Sequence, residues 1–588
     1  MAKRLAIVDK TKCFPTKCGN YWCMGACPVN RQGEECIVID DATQKVKIIE
    51  ETCIGCGICL KCPFDAIKII NLPERLQVPP LHRFGENLFE LFTLPVPKKG
   101  VVVGLIGRNG IGKSTALQIL SGQVIPNFGR LNVSGAKEDV IAHYANTVLG
   151  EYFRNLYSDK IKVSYKPQRV ELLPKTIKGT VGELIAKVDE TNKADEFLKI
   201  LGIYHLKDRD IAQLSGGELQ RFAIVAAAVK KFDVLYLDEP SSFLDLSQRI
   251  QVARLIRTLA ENASVLVVDH DLATLDYVSD EIQVFYGEQS AYGITSQSKS
   301  VKRGINEYLD GYLPDDNVRF RTYSIKFAPP LPIRIERDIL LSYPDMKKAF
   351  SSFSLAVQGG FVNRGEVMAI MGQNGLGKST FLKMLAGLEK PDSGEITGLK
   401  ISYKPQYLPN SDMLVDEFLR KEAGNNYSSG WWQQNVFEKL NLKPLLVRSL
   451  SQLSGGELQK VHVAACLSRD ADIFALDEPS AFIDVEDRLH VAEVIKDFAQ
   501  KKEVCAIVVD HDVQFVDYLA DAMLVFEGSP GVIGKVSAPV DKRTGMNMIL
   551  KMLDITYRQD AETNRPRINK PGSQLDQQQK KKNEYYYR

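Results

Sequence analysis

A long, ordered internal repeat constrains the fold of this 588-residue chain. Three stretches recur in the same order: GRNGIGKST (107–115) as GQNGLGKST (372–380), QLSGGELQR (213–221) as QLSGGELQK (452–460), and LDEPSSFLD (237–245) as LDEPSAFID (476–484). Repeated motifs of this length predict two homologous domains, each with its own core.

The spacing of the repeat locates one insertion. Lys113 and Lys378 lie 265 residues apart, whereas Gln168 and Gln406 lie 238 apart, so the first copy holds 27 extra residues within about 127–162. Apolar residues recur there at roughly helical spacing: Val140, Ile141, Tyr144, Val148, Tyr152, Phe153, Leu156 and Tyr157. We expect a helical hairpin that contacts a partner; the alternative is an excursion without function.

Each copy reads as a strand, a glycine-rich loop and a helix. Glycines let backbone N–H groups surround phosphate oxygens at a helix N-terminus, where the helix dipole also favours anions. Lys113 and Lys378 should reach the β- and γ-phosphates of ATP, and the following serines should offer hydroxyls to Mg²⁺. The predicted ATP contacts of these loops are Gly107, Asn109, Gly110, Gly112, Lys113, Ser114 and Thr115, and Gly372, Asn374, Gly375, Gly377, Lys378, Ser379 and Thr380.

Two apolar stretches, VLYLDEP and IFALDEP, predict buried parallel strands that end in adjacent carboxylates. The first carboxylate of each pair should bind Mg²⁺ and the second should polarise the attacking water, because phosphoryl transfer needs an oriented nucleophile and charge neutralisation. The magnesium ligands are Asp238 and Asp477, with Ser114, Ser379, Gln168 and Gln406; the catalytic residues are Glu239 and Glu478, with His270 and His511 at the γ-phosphate. Either histidine alone would be read as structural, but the order of the whole set favours catalysis.

The motif LSGGE places a serine and two glycines at a predicted helix start, which makes a second anion site in each copy. Its residues are Ser215, Gly216 and Gly217, and Ser454, Gly455 and Gly456. The set resembles the ABC ATPases. That resemblance implies a head-to-tail sandwich, in which ATP lies between the glycine-rich loop of one copy and LSGGE of the other. Adenine should stack on an aromatic residue before each loop, for which Phe84 and Phe353 are the candidates.

Nine of the eleven cysteines lie within the first 62 residues. Cys53, Cys56 and Cys59 follow the spacing of bacterial two-cluster ferredoxins, and proline follows both Cys27 and Cys62. We predict two [4Fe–4S] clusters, one on Cys13, Cys18, Cys23 and Cys62 and the other on Cys27, Cys53, Cys56 and Cys59. Cys36 should be a spare buried thiol. Two zinc sites are the alternative.

Composition adds limits on location and partners. The net charge is only +2, so contact with nucleic acid must come from local patches. The chain has no apolar run of about 18 residues and no signal peptide. We therefore expect a cytoplasmic monomer without a membrane partner. The basic C-terminal QQQKKKNEYYYR is expected to fray.

The motifs together resemble one family, the ribosome-recycling ATPases of ABC subfamily E, also called RNase L inhibitors, and archaeal members in particular. HRFGEN (82–87), GINEYLDGYLP (304–314), GMNMIL (545–550) and RPRINK (565–570) carry the resemblance further. This family usually has one residue fewer between the second and third cysteines and one more before Cys62.

The resemblance implies an α/β fold with twin ABC-type P-loop ATPase domains and an N-terminal two-cluster ferredoxin-like domain. The expected boundaries are 1–72 for the cluster domain, 73–290 for the first ATPase domain, 291–330 for a hinge, 331–544 for the second ATPase domain, and 545–588 for a C-terminal hinge element and tail.

The function implied is ATP-driven splitting of ribosomes into subunits after termination or rescue, followed by residence on the small subunit. The expected partners are small-subunit protein and rRNA, a release factor or Pelota-type protein, and initiation factors as further candidates. The alternative is a redox-coupled ATPase that uses its clusters for electron transfer.

Overall fold

The structure is a computed structural model that describes residues 4–50, 52–71, 79–131, 135–327, 338–394, 400–409 and 411–586. It divides into two compact units. Unit 1 holds Met1–Pro240, Arg254–His270 and Val278–Ser324; unit 2 holds Ser241–Ala253, Asp271–Tyr277 and Ile325–Arg588.

Unit 1 begins with a small cysteine-bearing region, residues 4–71, called here the cysteine module. Its elements are β1 (Arg4–Val8), α1 (Trp22–Ala26), α2 (Pro28–Arg31), β2 (Ile37–Asp40), β3 (Lys45–Ile48) and β4 (Ile67–Asn71). Strands β1 and β4 pair antiparallel, as do β2 and β3. The segments between these strands carry the cysteines, and seven of the nine pack in one small core, whereas Cys18 lies outside it and Cys56 is exposed.

The irregular cysteine spacing is absorbed by a left-handed turn. Gly19, Asn20 and Tyr21 have φ of +83°, +59° and +62°, three consecutive residues in a region that L side chains rarely adopt. This turn leads directly into α1, which carries Cys23. The segment GNYW, which carries the extra residue, thus includes this turn and the start of the helix that presents the next cysteine.

The first copy of the repeat is built on one twisted sheet of strands β5 to β13. Its elements are β5 (His82–Arg83), β6 (Glu90–Leu91), β7 (Val102–Ile106), α3 (Lys113–Leu120), α4 (Lys137–His143), α5 (Val148–Tyr157), β8 (Val163–Lys166), α6 (Leu173–Thr176), α7 (Val181–Ala186), α8 (Ala194–Ile200), α9 (Gly216–Ala228), β9 (Val234–Asp238), α10 (Leu246–Ala260), β10 (Ser264–Val268), α11 (Leu272–Val278), β11 (Glu281–Glu288), β12 (Tyr292–Thr295) and β13 (Lys299–Ser300). The strand order is β5-β6-β12-β11-β7-β10-β9-β8, and β11, β7, β10, β9 and β8 run parallel. The parallel strands bring the ends of β7, β9 and β10 to one edge, where the predicted site residues follow them.

Two helices, α4 and α5, lie within the predicted insertion and pack on the first core through Val140, Leu149 and Phe153. Val148, expected on the packed face, is 67% exposed. Thr147 caps α5, so the helix begins at Val148, and Leu149 and Phe153, four residues apart, form its packed face instead.

Unit 1 ends in α12 (Val301–Asp310) and the hairpin of β14 (Tyr312–Leu313) and β15 (Val318–Arg319). Gly311 ends α12 with φ +76°. The Arg321 guanidinium donates to the carbonyls of Tyr308 and Leu309 (2.5 and 2.6 Å). It therefore satisfies carbonyls that the helix end leaves without intrahelical partners.

Unit 2 contains a second large sheet of the same design and two antiparallel pairs of strands, β16 with β19 and β27 with β28. The elements from 338 onward are β16 (Ile339–Tyr343), β17 (Met346–Ala349), β18 (Ser354–Val357), β19 (Gly360–Asn363), β20 (Val367–Met371), α13 (Lys378–Leu385), β21 (Ile401–Lys404), α14 (Val415–Ala423), α15 (Gly430–Trp432), α16 (Gly455–Cys466), β22 (Ile473–Asp477), α17 (Val485–Lys502), β23 (Cys505–Val509), α18 (Val513–Leu519), β24 (Ala522–Ser529), β25 (Ile533–Val536), β26 (Val540–Asp541), α19 (Lys542–Met552), β27 (Tyr557–Gln559), β28 (Pro566–Ile568) and α20 (Gln574–Lys581). The order β17-β18-β25-β24-β20-β23-β22-β21 repeats that of the first sheet, strand for strand. The fold is therefore the predicted α/β class with twin sheets.

The C-terminal segment is folded as far as it is described, contrary to the expected frayed tail. Helix α20 is capped by Ser573, and Tyr586 is 2% exposed. The Tyr586 hydroxyl donates to Asp517 on α18, and the Tyr557 N–H donates to the Tyr585 carbonyl (2.8 Å). Burial of this aromatic side chain outweighs the basic, polar composition before it.

In the described ranges, no helix is both long and apolar enough to cross a bilayer.

Candidate nucleotide sites and cysteine module

The two glycine-rich loops take the same conformation. The Lys113 ammonium donates to the carbonyls of Gly107 and Arg108 (2.7 and 2.8 Å). The Lys378 ammonium donates to the carbonyls of Gly372 and Gln373 (2.9 and 2.8 Å). Each lysine therefore closes its own loop at the start of a helix, where the predicted threonine and serine contacts also lie.

Glycine is required at the last loop position of each copy. Gly112 and Gly377 have φ of +93° and +90°. A Cβ on Gly112 would lie 2.6 Å from Phe89 Cζ, and one on Gly377 would lie 2.8 Å from Phe353 Cζ. Both the backbone conformation and the close aromatic ring exclude other residues.

The first carboxylates, Asp238 and Asp477, end buried strands β9 and β22. Burial raises the pKa of both, and the hydroxyls of Ser114 and Ser379 oppose that rise. Across the described part of the chain, Oδ1 of each aspartate is buried without a hydrogen-bond partner. An orphaned carboxylate oxygen beside a serine hydroxyl fits a Mg²⁺ ion, which prefers oxygen ligands.

The second carboxylates have matching neighbours in both copies. Gln168 Nε2 donates to Glu239 Oε1 (2.7 Å), and His270 Nε2 lies 3.3 Å from the same oxygen. In the second copy, Gln406 Nε2 donates to Glu478 Oε1 (2.8 Å), and His511 Nε2 lies 3.5 Å away. The structure thus brings the predicted glutamine, glutamate and histidine together twice.

Both glutamates have a left-handed backbone, with φ of +49° at Glu239 and +47° at Glu478. Such conformations persist in non-glycine residues where the surroundings over-determine them, often at functional sites. Burial raises the pKa of Glu478, but His511, Gln406 and Lys378 outweigh burial and hold the pKa at about 2. The carboxylate is therefore ionised, as a group that polarises water must be.

Two buried lysines, which the motifs did not indicate, lie in a further repeated stretch, SYKPQ (164–168 and 402–406). Lys166 Nζ donates to the Asp238 carbonyl (2.8 Å), and Lys404 Nζ donates to the Asp477 carbonyl (2.9 Å). Burial lowers the pKa of each lysine to about 8. They tie β8 to β9 and β21 to β22 at the point where the carboxylates begin.

The LSGGE motifs start helices α9 and α16 with full capping boxes. Ser215 accepts from the Glu218 N–H while Glu218 accepts from the Ser215 N–H, and Ser454 and Glu457 repeat the pair. Gly216, Gly217, Gly455 and Gly456 form the first turns. These helix starts present backbone N–H groups suited to an anion.

Within unit 2, the Asn374 N–H donates to Asp245 Oδ2 (2.8 Å). Asp245 is 2% exposed, and its other oxygen accepts from the Gln248 N–H (2.9 Å) at the start of α10. Burial lowers the pKa of Lys378 to about 8, and Asp245, Glu478 and Asp477 oppose that fall. A residue of the first repeat therefore contacts the second phosphate loop, which motif reading did not identify.

The predicted adenine aromatics occupy non-equivalent places. Phe353 lies against Gly377, and its counterpart against Gly112 is Phe89. Phe84 is 52% exposed, and its counterpart in the second copy is Phe350, 44% exposed. This equivalence follows from the backbone hydrogen bonds. The Phe84 N–H donates to the Phe89 carbonyl, and the Phe350 N–H donates to the Phe353 carbonyl. Each site thus offers two aromatics, one packed on the loop and one open.

The cysteines of the module separate into the two predicted sets. Cys13, Cys18, Cys23 and Cys62 line one small cavity. Burial, followed by the neighbouring thiols of that set, raises the pKa of Cys23 to about 12. Burial, followed by Cys53, Cys56 and Cys27, raises the pKa of Cys59 to about 11.

Cys36 is 2% exposed and contacts Cys27 and Cys53 of the second set. Considering only the described residues, no three His, Cys, Asp or Glu side chains converge on a position for one metal ion. A four-iron cluster needs a wider arrangement, because each of its cysteines binds a different iron.

Comparison with known proteins agrees with this geometry. The ABC transporter family model matches residues 96–242 and 360–481. An uncharacterised ABC transporter ATP-binding protein of Methanocaldococcus jannaschii is 51% identical over 99% of this chain and 97% of its own length. The translation initiation factor RLI1 of Saccharomyces cerevisiae is 42% identical over 99% of this chain and 98% of its own.

A solved structure described as a model of ribosome-bound archaeal Pelota and ABCE1 matches with a TM-score of 0.94 and 48% identity. The match covers 100% of this chain and 99% of that one. The protein is thus an ATPase with two nucleotide sites. By full-length similarity and by its twin sheets, the chain belongs to subfamily E of the ABC proteins, the RNase L inhibitor family.

Proposed function

We propose that this protein is an ATP-driven mechanoenzyme that splits ribosomes into subunits for recycling after termination or rescue, and that it stays on the small subunit. The full-length similarity to a translation initiation factor and to a ribosome-bound ABC protein carries the proposal. Small-subunit protein and rRNA, together with a Pelota-type or release factor, are the proposed partners. Because its proposed substrate is the ribosome, the protein acts in the cytoplasm.

Hydrolysis is assigned to the paired carboxylate sites. Asp238 and Asp477, with Ser114 and Ser379, would bind Mg²⁺. Glu239 and Glu478 would accept a hydrogen bond from the attacking water, because each carboxylate is held by a glutamine and a histidine. His270 and His511 would then face the γ-phosphate from the adjoining strand ends.

The mechanical step is assigned to a head-to-tail sandwich. The helix starts at Ser215 and Ser454 would each bind the γ-phosphate held by the glycine-rich loop of the other copy. ATP then joins the two copies and hydrolysis separates them. The segments 291–330 and 545–588 are the proposed hinges that convert this closure into movement of domain 1–72.

Two [4Fe–4S] clusters are assigned to the two cysteine sets. The cavity shared by Cys13, Cys18, Cys23 and Cys62, and the nearness of Cys27, Cys53 and Cys56 to Cys59, support this assignment. When bound, a cluster supplies metal–ligand bonds that add folding free energy and stiffen the module. The cysteines themselves bind and orient, and no electron transfer is required. The redox alternative has no support among the relatives described above, one of which is named for translation.

The test is ATP-dependent retention. The double variant Glu239→Gln, Glu478→Gln should bind ATP but not hydrolyse it, so it should co-sediment with small subunits when ATP is present. Wild-type protein should dissociate under the same conditions. A double variant that sediments free of small subunits with ATP would overturn the proposal.

A further inference from the structure

The first copy carries a longer turn than the second in the hairpin before its phosphate loop. The first hairpin (His82–Leu91) closes with Phe84 N–H donating to the Phe89 carbonyl, 3.3 Å. The second hairpin (Met346–Val357) closes with Phe350 N–H donating to the Phe353 carbonyl, 2.7 Å. Four residues, 85–88, therefore lie between the first pair and two, 351–352, between the second.

Each hairpin is packed on its phosphate loop. Phe89 lies so close to Gly112 that a Cβ there would be 2.6 Å from the ring, and Phe353 does the same at Gly377. A packed ring at this separation cannot move independently of the loop backbone. A shift of the phosphate loop on binding nucleotide therefore reaches the hairpin.

The longer turn inserts Asn87 into the cysteine module. Its Oδ1 accepts from the Ile48 N–H (2.8 Å), its Nδ2 donates to the Ala6 carbonyl (3.3 Å), and its own carbonyl accepts from the Val8 N–H (3.1 Å). Asn87 is 2% exposed and has φ +55°. One residue thus bonds to both β1 and β3.

Ion pairs on either side of Asn87 join the same two regions. Lys47 pairs with Glu86, and Arg83 pairs with Glu50. Glu50 also accepts from Asn87 Nδ2 (3.2 Å). The two extra residues of the first turn therefore lie in the part of the hairpin that contacts the module.

A second connection lies on the other side of the phosphate loop. The Ser290 N–H donates to the Gly110 carbonyl (3.0 Å), and Glu288, two residues earlier, pairs with Lys68 of β4. The second copy keeps the loop contact, from the Gly531 N–H to the Gly375 carbonyl (3.0 Å). The first phosphate loop is thus connected to the module from both sides.

We propose that Asn87 is a positioning residue that couples nucleotide binding at the first site to attachment of the cysteine module. This inference rests on the proposed ATP sites. Coupling between two binding equilibria is reciprocal, so nucleotide must change the strength of module attachment by the same factor by which attachment changes nucleotide affinity. The second site has no such coupling through its two-residue turn.

The test is hydrogen exchange on the full chain, with and without a non-hydrolysable ATP analogue and Mg²⁺. The amides of Val8 and Ile48 report module attachment, because both donate to Asn87. Peptides covering 107–113 and 372–378 report analogue binding at each site. In wild-type protein, exchange at Val8 and Ile48 should change at least threefold when the first site fills.

In Asn87→Ala, exchange at Ile48, which loses its side-chain acceptor, should rise about tenfold, and exchange at Val8 and Ile48 should no longer respond to the analogue. Affinity at the first site should change by the reciprocal factor, increasing if the analogue loosens the module, while the second site is unaffected. Asn87→Gly, which tolerates φ +55°, should behave alike. Ser352→Ala, the matched change in the second turn, should have no effect.

Analogue binding at 107–113 with unchanged exchange at Val8 and Ile48 in wild-type protein would overturn the coupling while leaving the ATP sites intact. Failure of the analogue to protect either phosphate loop would instead overturn the ATP sites. A changed affinity at the second site in Asn87→Ala would also contradict the proposal, because it indicates general destabilisation.

Discussion

The two copies of the repeat share one arrangement of a glutamine, a glutamate and a histidine, called here the chemical centre, and differ in what surrounds it. The glutamine–glutamate distances are 2.7 and 2.8 Å, and the histidine–glutamate distances are 3.3 and 3.5 Å. Outside the centre, the first copy alone has the cysteine module, the helical insertion and the four-residue turn. The centre is therefore constrained by the chemistry of phosphoryl transfer, whereas attachments have been added to one copy.

Strand β9 shows how an attachment reaches the centre. Tyr236 on this strand donates to Tyr152 of the insertion (2.7 Å between hydroxyls), and Tyr152 donates to the Leu120 carbonyl (2.6 Å). The matching residue of the second copy, which lacks the insertion, is Ala475. The insertion is thus bonded to the strand that ends in Asp238.

The shared centre predicts the largest effect. Glu239→Gln with Glu478→Gln should lower ATP turnover by about 10²–10⁴-fold, because each change removes the carboxylate that polarises the attacking water. Phosphate release checks this. The matched control Glu196→Gln with Glu438→Gln changes exposed carboxylates of α8 and of the segment after α15, and should keep wild-type turnover. Undiminished turnover in the first pair would remove these glutamates from catalysis.

The next largest effect is on stability and concerns the hydrogen bond between Tyr152 and Tyr236, which only the first copy has. Tyr152→Phe should lower the free energy of unfolding by about 1–3 kcal/mol, since it leaves the buried Tyr236 hydroxyl without its partner. Tyr236→Phe should cost less, about 0.5–1.5 kcal/mol, because Tyr152 keeps the Leu120 carbonyl. Denaturant unfolding measures both. Equal costs would contradict the direction of these hydrogen bonds.

The second site should show proton uptake. Burial lowers the pKa of Lys378 from 10.5 to about 8, and ATP phosphates favour the charged ammonium. Between about pH 8 and pH 10.5, ATP binding should therefore be accompanied by uptake of close to one proton. The affinity for ATP should fall by up to about tenfold per pH unit above about pH 8.

Calorimetry at pH 9 in two buffers of different ionisation enthalpy detects this uptake. Lys113→Ala confines binding to the second site. At pH 7 the two buffers should give the same heat, because Lys378 is already protonated. Identical heats at pH 9 would show that burial does not perturb Lys378.

The smallest predicted effect is on iron content and concerns the cysteine module, which the chain contains once. Protein purified without oxygen should contain about eight iron atoms per chain, and Cys23→Ser should lower this to about four. Cys36→Ser should leave iron unchanged, because Cys36 is not among the eight predicted ligands. Iron and labile-sulfide analysis measures this. Zinc in place of iron, or a loss in Cys36→Ser equal to that in Cys23→Ser, would refute the assignment.

Local motifs account for the position of the proposed catalytic residues in the fold. Lys113, Asp238 and Glu239 lie where short stretches of sequence prescribe a loop or a strand end, so residue type and neighbours suffice. Lys166 escaped notice because its role arises from the pairing of β8 with β9, which brings its ammonium to the Asp238 carbonyl. That pairing joins residues about seventy positions apart.

Long-range packing explains the remaining differences. Tyr586 is buried by Asp517 and its surroundings, which no pattern near the C-terminus indicates. The two aromatics named from the sequence, Phe84 and Phe353, are not equivalent, because the turn at 85–88 is two residues longer than the turn at 351–352. The longer turn also carries Asn87, which bonds to the cysteine module.

Ribosome splitting itself can be followed by light scattering. Ribosomes carrying a Pelota-type factor are mixed with protein purified without oxygen and with ATP. The proposed function predicts a fall in scattering, as subunits separate, that requires both ATP and Mg²⁺. Unchanged scattering, with iron content confirmed and ATP hydrolysis intact in the same sample, would contradict it.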